Sequence, residues 1–556
     1  VSDDELSKSV EVWVNELRLS NFNEKGGWAA RTQLRLRLAE FASLAFAGSM
    51  STVGFGSLEK NISERNLNES QRYNLTANLE LGQLFPSESN IKFPMYFSVS
   101  ESVQNPQYNP LDPDILLDAS LATYETQSEQ DSIREIVQDY TKIKSVNFTN
   151  VRKDRSSDNR ESKIYDLENF SVSYSYNEVF SRNINTEYSI RQDYTGGIGY
   201  NFNTNPKNVK PFSKLKLFKK SKYLRLVKDF NFYLSPKQFS FRTDFNRSYL
   251  ETKMRNTSNS NIDLPEMYSK LFTMSRIYNM KYDLTKSIKL NFSARNKSIV
   301  DEPYGRVDSK DKRDSLVTNL LSLGRPVEYH HHFDIRYTLP INKLPILSWV
   351  NSSINYDASY DWRASSLALS DADFGNTIQN NNSIKFNTQL NLTSLYNKVP
   401  FLKKALSNSR QNRVPKNSMK NSSASTPNRL SDQSDDMNIF KYFARAIFSV
   451  KNISISYSET NGTFLPGFIH EANFFGLHNP ISAPAPTLGF VLGSQNDIRI
   501  AAINNGWITT NPMLNTLYTS SFTNNLNIRA TVEPINRFKI MFTGSRRYTI
   551  NENEYF

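Results

Sequence analysis

The strongest constraint in this sequence is an alternation of apolar and polar residues with a period of two. It is cleanest from Val350 to Arg363. Val350, Ser352, Ile354, Tyr356, Ala358, Tyr360 and Trp362 fall on one side, and Asn351, Ser353, Asn355, Asp357, Ser359, Asp361 and Arg363 on the other. Successive residues of a strand point to opposite faces, so this run predicts a strand with one apolar, aromatic face and one wholly polar face. The next segment repeats it: Ile384, Phe386, Thr388, Leu390 and Leu392 alternate with Lys385, Asn387, Gln389, Asn391 and Thr393. Tyr73 to Leu81, Phe170 to Tyr176, Phe239 to Phe245, Ile288 to Ala294, Phe333 to Leu339, Ile453 to Tyr457 and Leu526 to Val532 behave alike. Roughly fourteen such segments can be drawn.

Which way the faces point follows from their chemistry. A soluble sandwich buries faces dominated by Val, Ile and Leu. Here the apolar face is rich in Tyr, Phe and Trp, which gather at the interfaces of a membrane barrel, and the other face suits a wet lumen. Many segments exceed the ~9–11 residues that cross a bilayer, so they are expected to protrude. The expected fold is all-β, a portion of a very large antiparallel transmembrane barrel, with long strands, short rim helices and long loops. Tyr360 and Trp362, at one end of their strand, fit an interfacial girdle. A soluble β-sandwich surface adhesin is the alternative.

Composition narrows the function. The 556 residues include 36 Phe and 28 Tyr, too many aromatics for a disordered chain. The net charge of +12 permits a nucleic-acid partner without demanding one, and none is expected. With no cysteine, disulfide scaffolds, thiolate metal sites and thiol nucleophiles are excluded. Nowhere is there an uncharged apolar run near 18 residues, which rules out transmembrane helices but not transmembrane strands. The alternation is still running at Tyr555-Phe556, so a fragment of a longer protein is expected.

The connectors carry a second pattern. Asn342-Lys343-Leu344-Pro345-Ile346-Leu347 is echoed 55 residues later by Asn397-Lys398-Val399-Pro400-Phe401-Leu402. Proline cannot donate to a ladder and ends each strand. Phe401 to Leu406 reads as a short rim helix. From Pro206 to Phe230 the chain carries nine Lys/Arg, with Leu215, Leu217, Leu224 and Val227 at amphipathic spacing, either a basic rim or a solvated charge run. Strand parity puts connectors near 102–166, 204–228, 341–348 and 397–438 on one side of the sheet. Those near 181–185, 250–271, 297–329, 364–382 and 459–518 fall on the other. Ser128 to Ile143, with Ile133, Ile136, Val137 and Tyr140 on one side, reads as a helix. Ser407 to Asn438 is low-complexity and expected to be mobile. The loop from Asn461 to Asn515 is apolar and nearly uncharged, and reads as a docking surface or lid.

The expected organisation is therefore strands over 1–101, an inserted connector with the helical candidate over 102–166, and a hairpin over 167–204. A basic connector follows at 205–228, then strands over 229–396, the mobile connector at 397–438, and a strand at 439–458. The long loop occupies 459–518 and the last strands 519–556. In that loop Phe464, Leu465, Phe468, Phe474 and Phe475 are the candidates for partner contact.

Catalytic and metal signatures are missing. His330-His331-His332 is the one histidine cluster, and consecutive strand residues do not converge on a metal. Gly196-Gly197-Ile198-Gly199 lacks the helix and Lys-Ser/Thr pair of a phosphate loop, and reads as a bulge or close approach. No nucleophile elbow and no paired-carboxylate motif occur. No enzyme activity and no cofactor are expected.

Several stretches resemble the SprA/Sov family, the outer-membrane translocon of the type 9 secretion system in Bacteroidota. They are Trp13 to Leu19 (WVNELRL), Asn109-Pro110-Leu111-Asp112-Pro113-Asp114, Asn150-Val151-Arg152-Lys153, Phe241 to Arg247 (FRTDFNR), Asp301 to Arg306 (DEPYGR) and Asn342-Lys343-Leu344-Pro345. The resemblance implies transport of folded cargo proteins bearing a C-terminal signal domain through a very wide barrel. It also implies a PorV-type barrel partner at a lateral opening, a periplasmic plug protein and, in gliding members, a link to motility. It implies the outer membrane of a Gram-negative bacterium, with 205–228 periplasmic and 459–518 extracellular. Asn351, Asn355, Asp357, Asp361, Lys385, Asn387 and Gln389 would then line the lumen. Ile354, Tyr356, Tyr360, Trp362, Ile384, Phe386, Leu390 and Leu392 would meet lipid. A TonB-dependent outer-membrane transporter is the nearest membrane alternative.

Overall fold

The computed structural model describes residues 11, 13, 26–56, 59, 61, 64–155, 162–213, 225–257, 262–367, 374–398, 448–535 and 538–555. Most of the Trp13–Leu19 motif lies outside them. So do Leu215, Leu217 and Leu224, the expected helix Phe401–Leu406 and the low-complexity stretch 407–438.

Seventeen strands, one of them only Ile91–Lys92, form a single antiparallel sheet. The long strands are β1 (Ala29–Leu38), β2 (Ala42–Ser51), β3 (Asn68–Glu80), β4 (Pro94–Pro106), β5 (Asp139–Lys153), β6 (Phe170–Arg182), β7 (Thr186–Asn203) and β8 (Gln238–Met254). They continue with β9 (Met267–Asp283), β10 (Ile288–Ile299), β11 (Arg325–Leu339), β12 (Val350–Arg363), β13 (Asn376–Asn391), β14 (Val450–Phe468), β15 (Tyr518–Ile535) and β16 (Phe538–Glu554). Each pairs with its predecessor and successor in sequence, an unbroken up-and-down meander. Among the described residues β1 and β16 each pair with one neighbour only. No helix is long and apolar enough to cross a membrane among the described residues.

Local chemistry sets the tight turns. Between β6 and β7, the Asn183 side chain accepts from the backbone N–H of Asn185 (3.0 Å) and Thr186 (2.8 Å), an Asx turn. Between β9 and β10, Thr285 Oγ1 accepts from Ser287 N (3.0 Å) and Ile288 N (2.9 Å).

The register slips in one direction along the sheet. Phe170 pairs with Tyr200, and β7 runs on to Asn203. Gln238 pairs with Lys281, and β9 runs on to Asp283. Ile288 pairs with Tyr337, and β11 runs on to Leu339. Val450 pairs with Val532, and β15 runs on to Ile535. Each time the later strand reaches further toward the same end. Such constant stagger is the shear of a sheet whose strands tilt, as they do in barrels.

Residues 102–166 are not one connector, because β5 lies within them. The helical segment is shorter than expected: α1 (Leu117–Leu121) is followed by α2 (Gln127–Val137). Thr126 and Glu129 close α2 at its start by a capping box. Ile133, Ile136 and Val137 pack on Leu117 and Leu121. The chain leaves the helix at Gln138 in extended conformation, so Tyr140 and Ile143 belong to β5. By strand parity this helical pair lies at the same end of the sheet as the long loop after β14, not at the end expected. A further helix, α3 (Lys310–Leu321), also lies at that end, between β10 and β11.

Candidate functional site

The two faces predicted for single strands are continuous across the sheet. One paired row reads Asn203, Gln238, Lys281, Asn291, Asp334, Asp357, Ser383, Thr460, Thr523, Thr549 from β7 to β16. Another reads Arg35, Ala45, Thr76, Ser98, Ser145, Asn177, Asp193, Ser248 from β1 to β8. This wall is built mainly of short neutral polar side chains. Asn351, Asn355, Asp357, Asp361, Lys385, Asn387 and Gln389 all stand on it, by register. Several are locally satisfied: Asp361 with His330 Nδ1 (2.7 Å), Lys385 with Asp357 (3.5 Å), and Asn387 accepting from Ser456 Oγ (2.7 Å).

The opposite face carries an apolar belt. Its rows include Leu36, Leu44, Ala77, Phe97, Val146, Tyr176 across β1–β6 and Val350, Leu390, Ile453, Ala530, Phe542 across β12–β16. Ile354, Tyr356, Ile384, Phe386 and Leu390 stand on this face. Leu392 does not, because the chain turns into the helical turn Leu392–Tyr396 there. Many belt side chains leave a third or more of their surface bare. Among the described residues no second layer covers them.

Toward the end holding the long loop, the belt stops at a repeated device. In Tyr176-Asn177-Glu178, Tyr249-Leu250-Glu251 and Tyr457-Ser458-Glu459, the tyrosine hydroxyl donates to the glutamate two residues on, at 2.5, 2.5 and 3.0 Å. Both side chains share the face, so the ring ends the apolar belt and the carboxylate begins a polar zone. In that zone the DEPYGR segment folds back onto β8. Glu302 receives a bidentate Arg247 (2.7 Å on both arms), and Arg306 Nε binds both oxygens of Glu251 (2.9 Å).

Over β10–β14 the same zone is covered by the loop after β14. This loop begins at Ile469, because Phe464, Leu465 and Phe468 belong to β14, which continues through a bulge at Pro466-Gly467. Leu465 and Phe468 are buried in the core beneath the loop, and Phe464 lies on the polar wall, paired with Gln379 and Thr519. Residues 469–517 then fold as a cap with two short helices, α4 (Leu488–Val491) and α5 (Arg499–Asn504). Phe475 stacks on His331 (5.1 Å) and Phe292 (5.3 Å). Phe474 projects outward, 78% exposed.

The cap corrects two expectations. Tyr360 (0% exposed) and Trp362 (1%) are core residues under it rather than a girdle facing outward. The Trp362 indole donates to His470 O (2.9 Å) and the Tyr360 hydroxyl to Gly476 O (3.3 Å). At the cap's edge the Tyr356 hydroxyl donates to Leu492 O (2.6 Å).

A folded loop must pair its backbone carbonyls. Strand side chains do so here. His331 Nε2 donates to Val491 O (2.9 Å), Asn380 Nδ2 to Phe490 O (2.9 Å) and Ser494 O (2.8 Å), and Asn382 Nδ2 to Gly493 O (2.6 Å). The approach is close enough to need glycine. At Gly476, with φ +77°, a Cβ would stand 2.6 Å from the Tyr329 and Tyr360 rings. These anchors went unrecognised in the sequence. Their signal was polar residues (His331, Asn380, Asn382) on an otherwise apolar face.

The cap holds few charges. Arg499 binds Asp497 and holds its carboxyl below the usual range, and it also reaches Glu554 on β16. His470 and His478 stack at 4.5 Å with an 11° tilt. Burial, and then the neighbouring His478, push the His470 imidazole pKa down. A depressed histidine pKa in the capped state means protonation favours opening. Cap stability should be full above the ordinary histidine value near 6.5 and fall as pH drops below it. Hydrogen exchange at the His478 and Ala485 amides, which pair with each other's carbonyls, should rise relative to β12 amides between about pH 7.5 and about pH 5. An unchanged ratio would remove this role from the pair.

No group of residues suited to a metal ion occurs among the described residues. The histidine run sits mid-strand in β11, with His331 under the cap and His330 on the polar wall. The glycines at 196, 197 and 199 are paired strand residues of β7.

Residues 1–121 match the family model SprA_N, described as motility related/secretion protein. The N-terminal region belongs to the SprA/Sov family. The match takes in β1 to β4 and α1, including the Asn109–Asp114 motif. The matched family is one of motility- or secretion-related proteins. No curated protein matches the chain.

Proposed function

We propose that this chain is part of the wall of an outer-membrane protein-conducting channel. The channel exports folded cargo proteins that carry a type 9 C-terminal signal domain. The observation that carries the proposal is the pairing of two unbroken faces on one staggered meander. A bare apolar belt suits lipid. A lining of Ser, Thr and Asn suits a folded passenger, whose own polar surface it would not grip. The family match to a secretion protein supports this reading. A soluble adhesin built of sandwiches would need a second sheet on the apolar face, and the described residues hold one large sheet only.

In this reading the end bearing the cap is extracellular, and the opposite end of the sheet is periplasmic. The projecting Phe474 is a candidate contact for a PorV-type partner. A plug protein would close the periplasmic end. Catalysis has no part in the proposal.

The test is deletion of the parent gene followed by location of cargo bearing the C-terminal signal. Cargo should accumulate in the periplasm while other outer-membrane functions persist. Normal export with lost uptake of a small nutrient would instead favour a TonB-dependent transporter.

A further inference from the structure

The polar wall is not electrically uniform. In its middle strands acids stand among the cations: Asp193 pairs with Arg191 (2.9 Å), Asp244 with Arg242 (2.7 Å), Asp357 with Lys385 and Asp361 with His330, while Asp334 accepts from Asn291 Nδ2 (2.9 Å). The flanking strands differ. Arg31, Arg35 and Arg37 stand on the wall face of β1, opposite Ser49, Ala45 and Ser43, and Arg72 of β3 pairs with Ser49 and Ser102. Arg529 and Arg547 stand on the wall face of β15 and β16, opposite Ser454 and Asn525. All six are exposed, and none makes an ion pair among the described residues. On the wall face of β1–β3, β15 and β16 the described acids are Glu80 and Glu533, both toward the strand ends away from the cap.

We propose that these two flanking sectors are an anion-attracting surface that fits acidic stretches of polypeptide moving along the wall. Fixed like charges on one face sum their fields, and the low-dielectric sheet behind them keeps the field on the solvent side. Neutral serines and alanines between the arginines let a passing carboxylate approach without meeting a competing acid. The inference rests on the conduit reading, since it needs the polar face to be wet and open to passengers.

Introduced cysteines supply the test, since this chain has none of its own and any elsewhere in the full-length protein is first replaced by serine. Ser43→Cys and Ser49→Cys place a thiol opposite Arg37 and Arg31, and Leu44→Cys places one on the apolar face. In the full-length protein in its membrane, each is treated with negatively and positively charged methanethiosulfonates of similar size. Rates are divided by those for a free small thiol. The negative reagent should be favoured by about tenfold at positions 43 and 49 at low salt, and the preference should vanish near 1 M salt. Arg31→Ser, Arg35→Ser and Arg37→Ser together should abolish it. The salt dependence tests the same point without those replacements, should they impair folding. Equal rates, or preference for the positive reagent, would overturn the inference and leave the conduit reading intact. Thiols at 43 and 49 that are inert to both reagents, with position 44 reactive, would overturn both.

Discussion

Phe386→Arg is expected to destabilise the membrane-inserted protein by about 2–4 kcal/mol, the cost of a cation on the lipid face near the bilayer midplane. Asn387→Arg, one residue on, should be nearly neutral. The two side chains share a strand and a backbone environment, and differ only in the face they occupy. Phe386 pairs with Ile354 and Tyr457 within the apolar belt, while Asn387 pairs with Ser353 and Ser456 on the polar wall. The ring is already 37% exposed. In water, a charge at such a site would change stability by only ~0.5 kcal/mol. A large cost therefore requires that lipid, not water, covers the belt. Urea midpoints of the full-length protein in vesicles, compared between the two variants, give the answer. Similar shifts at both positions would sink the lipid assignment, and with it the membrane conduit. Ile354→Arg and Leu390→Arg should follow Phe386→Arg, since both stand on the same face.

The same comparison shows what a sequence of this kind reveals. Period two is a property of each strand alone, so Val350 to Arg363 displays both faces without any partner. Antiparallel pairing then propagates the faces, because directly opposed residues share a side. That is why Asn351, Asn355 and Lys385 could be grouped before any pairing was known. Two of the errors share one physical origin, contact between residues distant in the chain. Tyr360 and Trp362 look like girdle residues until segments more than a hundred residues away cover them. Pro466-Gly467 carries a turn signal, yet β14 accommodates it as a bulge and continues to Phe468 under the same cover. At Ser128 to Ile143 the fault is different. Ile133, Ile136, Val137 and Tyr140 fall at helical spacing by coincidence across a helix–strand junction, and the extended backbone at Gln138 ends the helix. The stagger that tilts the strands had no local signal at all, since it resides in pairing offsets.

Trp362→Ala should release the cap at a cost of about 3–5 kcal/mol, the usual penalty for deleting a buried large aromatic. Trp362 lies in one cluster with Tyr329, Tyr360, Ile378, Leu465, Phe468 and Phe490, drawn from four strands and the cap. Its removal leaves a cavity and also orphans the His470 carbonyl of one donor, though Asn376 Nδ2 still reaches it at 3.1 Å. Trp362→Phe keeps most of the packing and loses the N–H donor, so it should cost nearer ~1 kcal/mol beyond the volume change. Phe474→Ala, at an outward-projecting ring, should leave stability unchanged. The readout is hydrogen exchange of cap amides such as Leu477 and Trp507 against those of β3, which lies far from the cap in strand order. If the energy of Trp362 comes from the cap, exchange rises in the cap and not in β3. If the residue instead anchored the barrel at a lipid interface, the cap amides would stay protected while the whole sheet lost stability together. The graded order Ala, Phe, wild type in cap protection separates packing from hydrogen bonding. It also fixes whether this loop is a built part of the sheet or a free arm awaiting a partner.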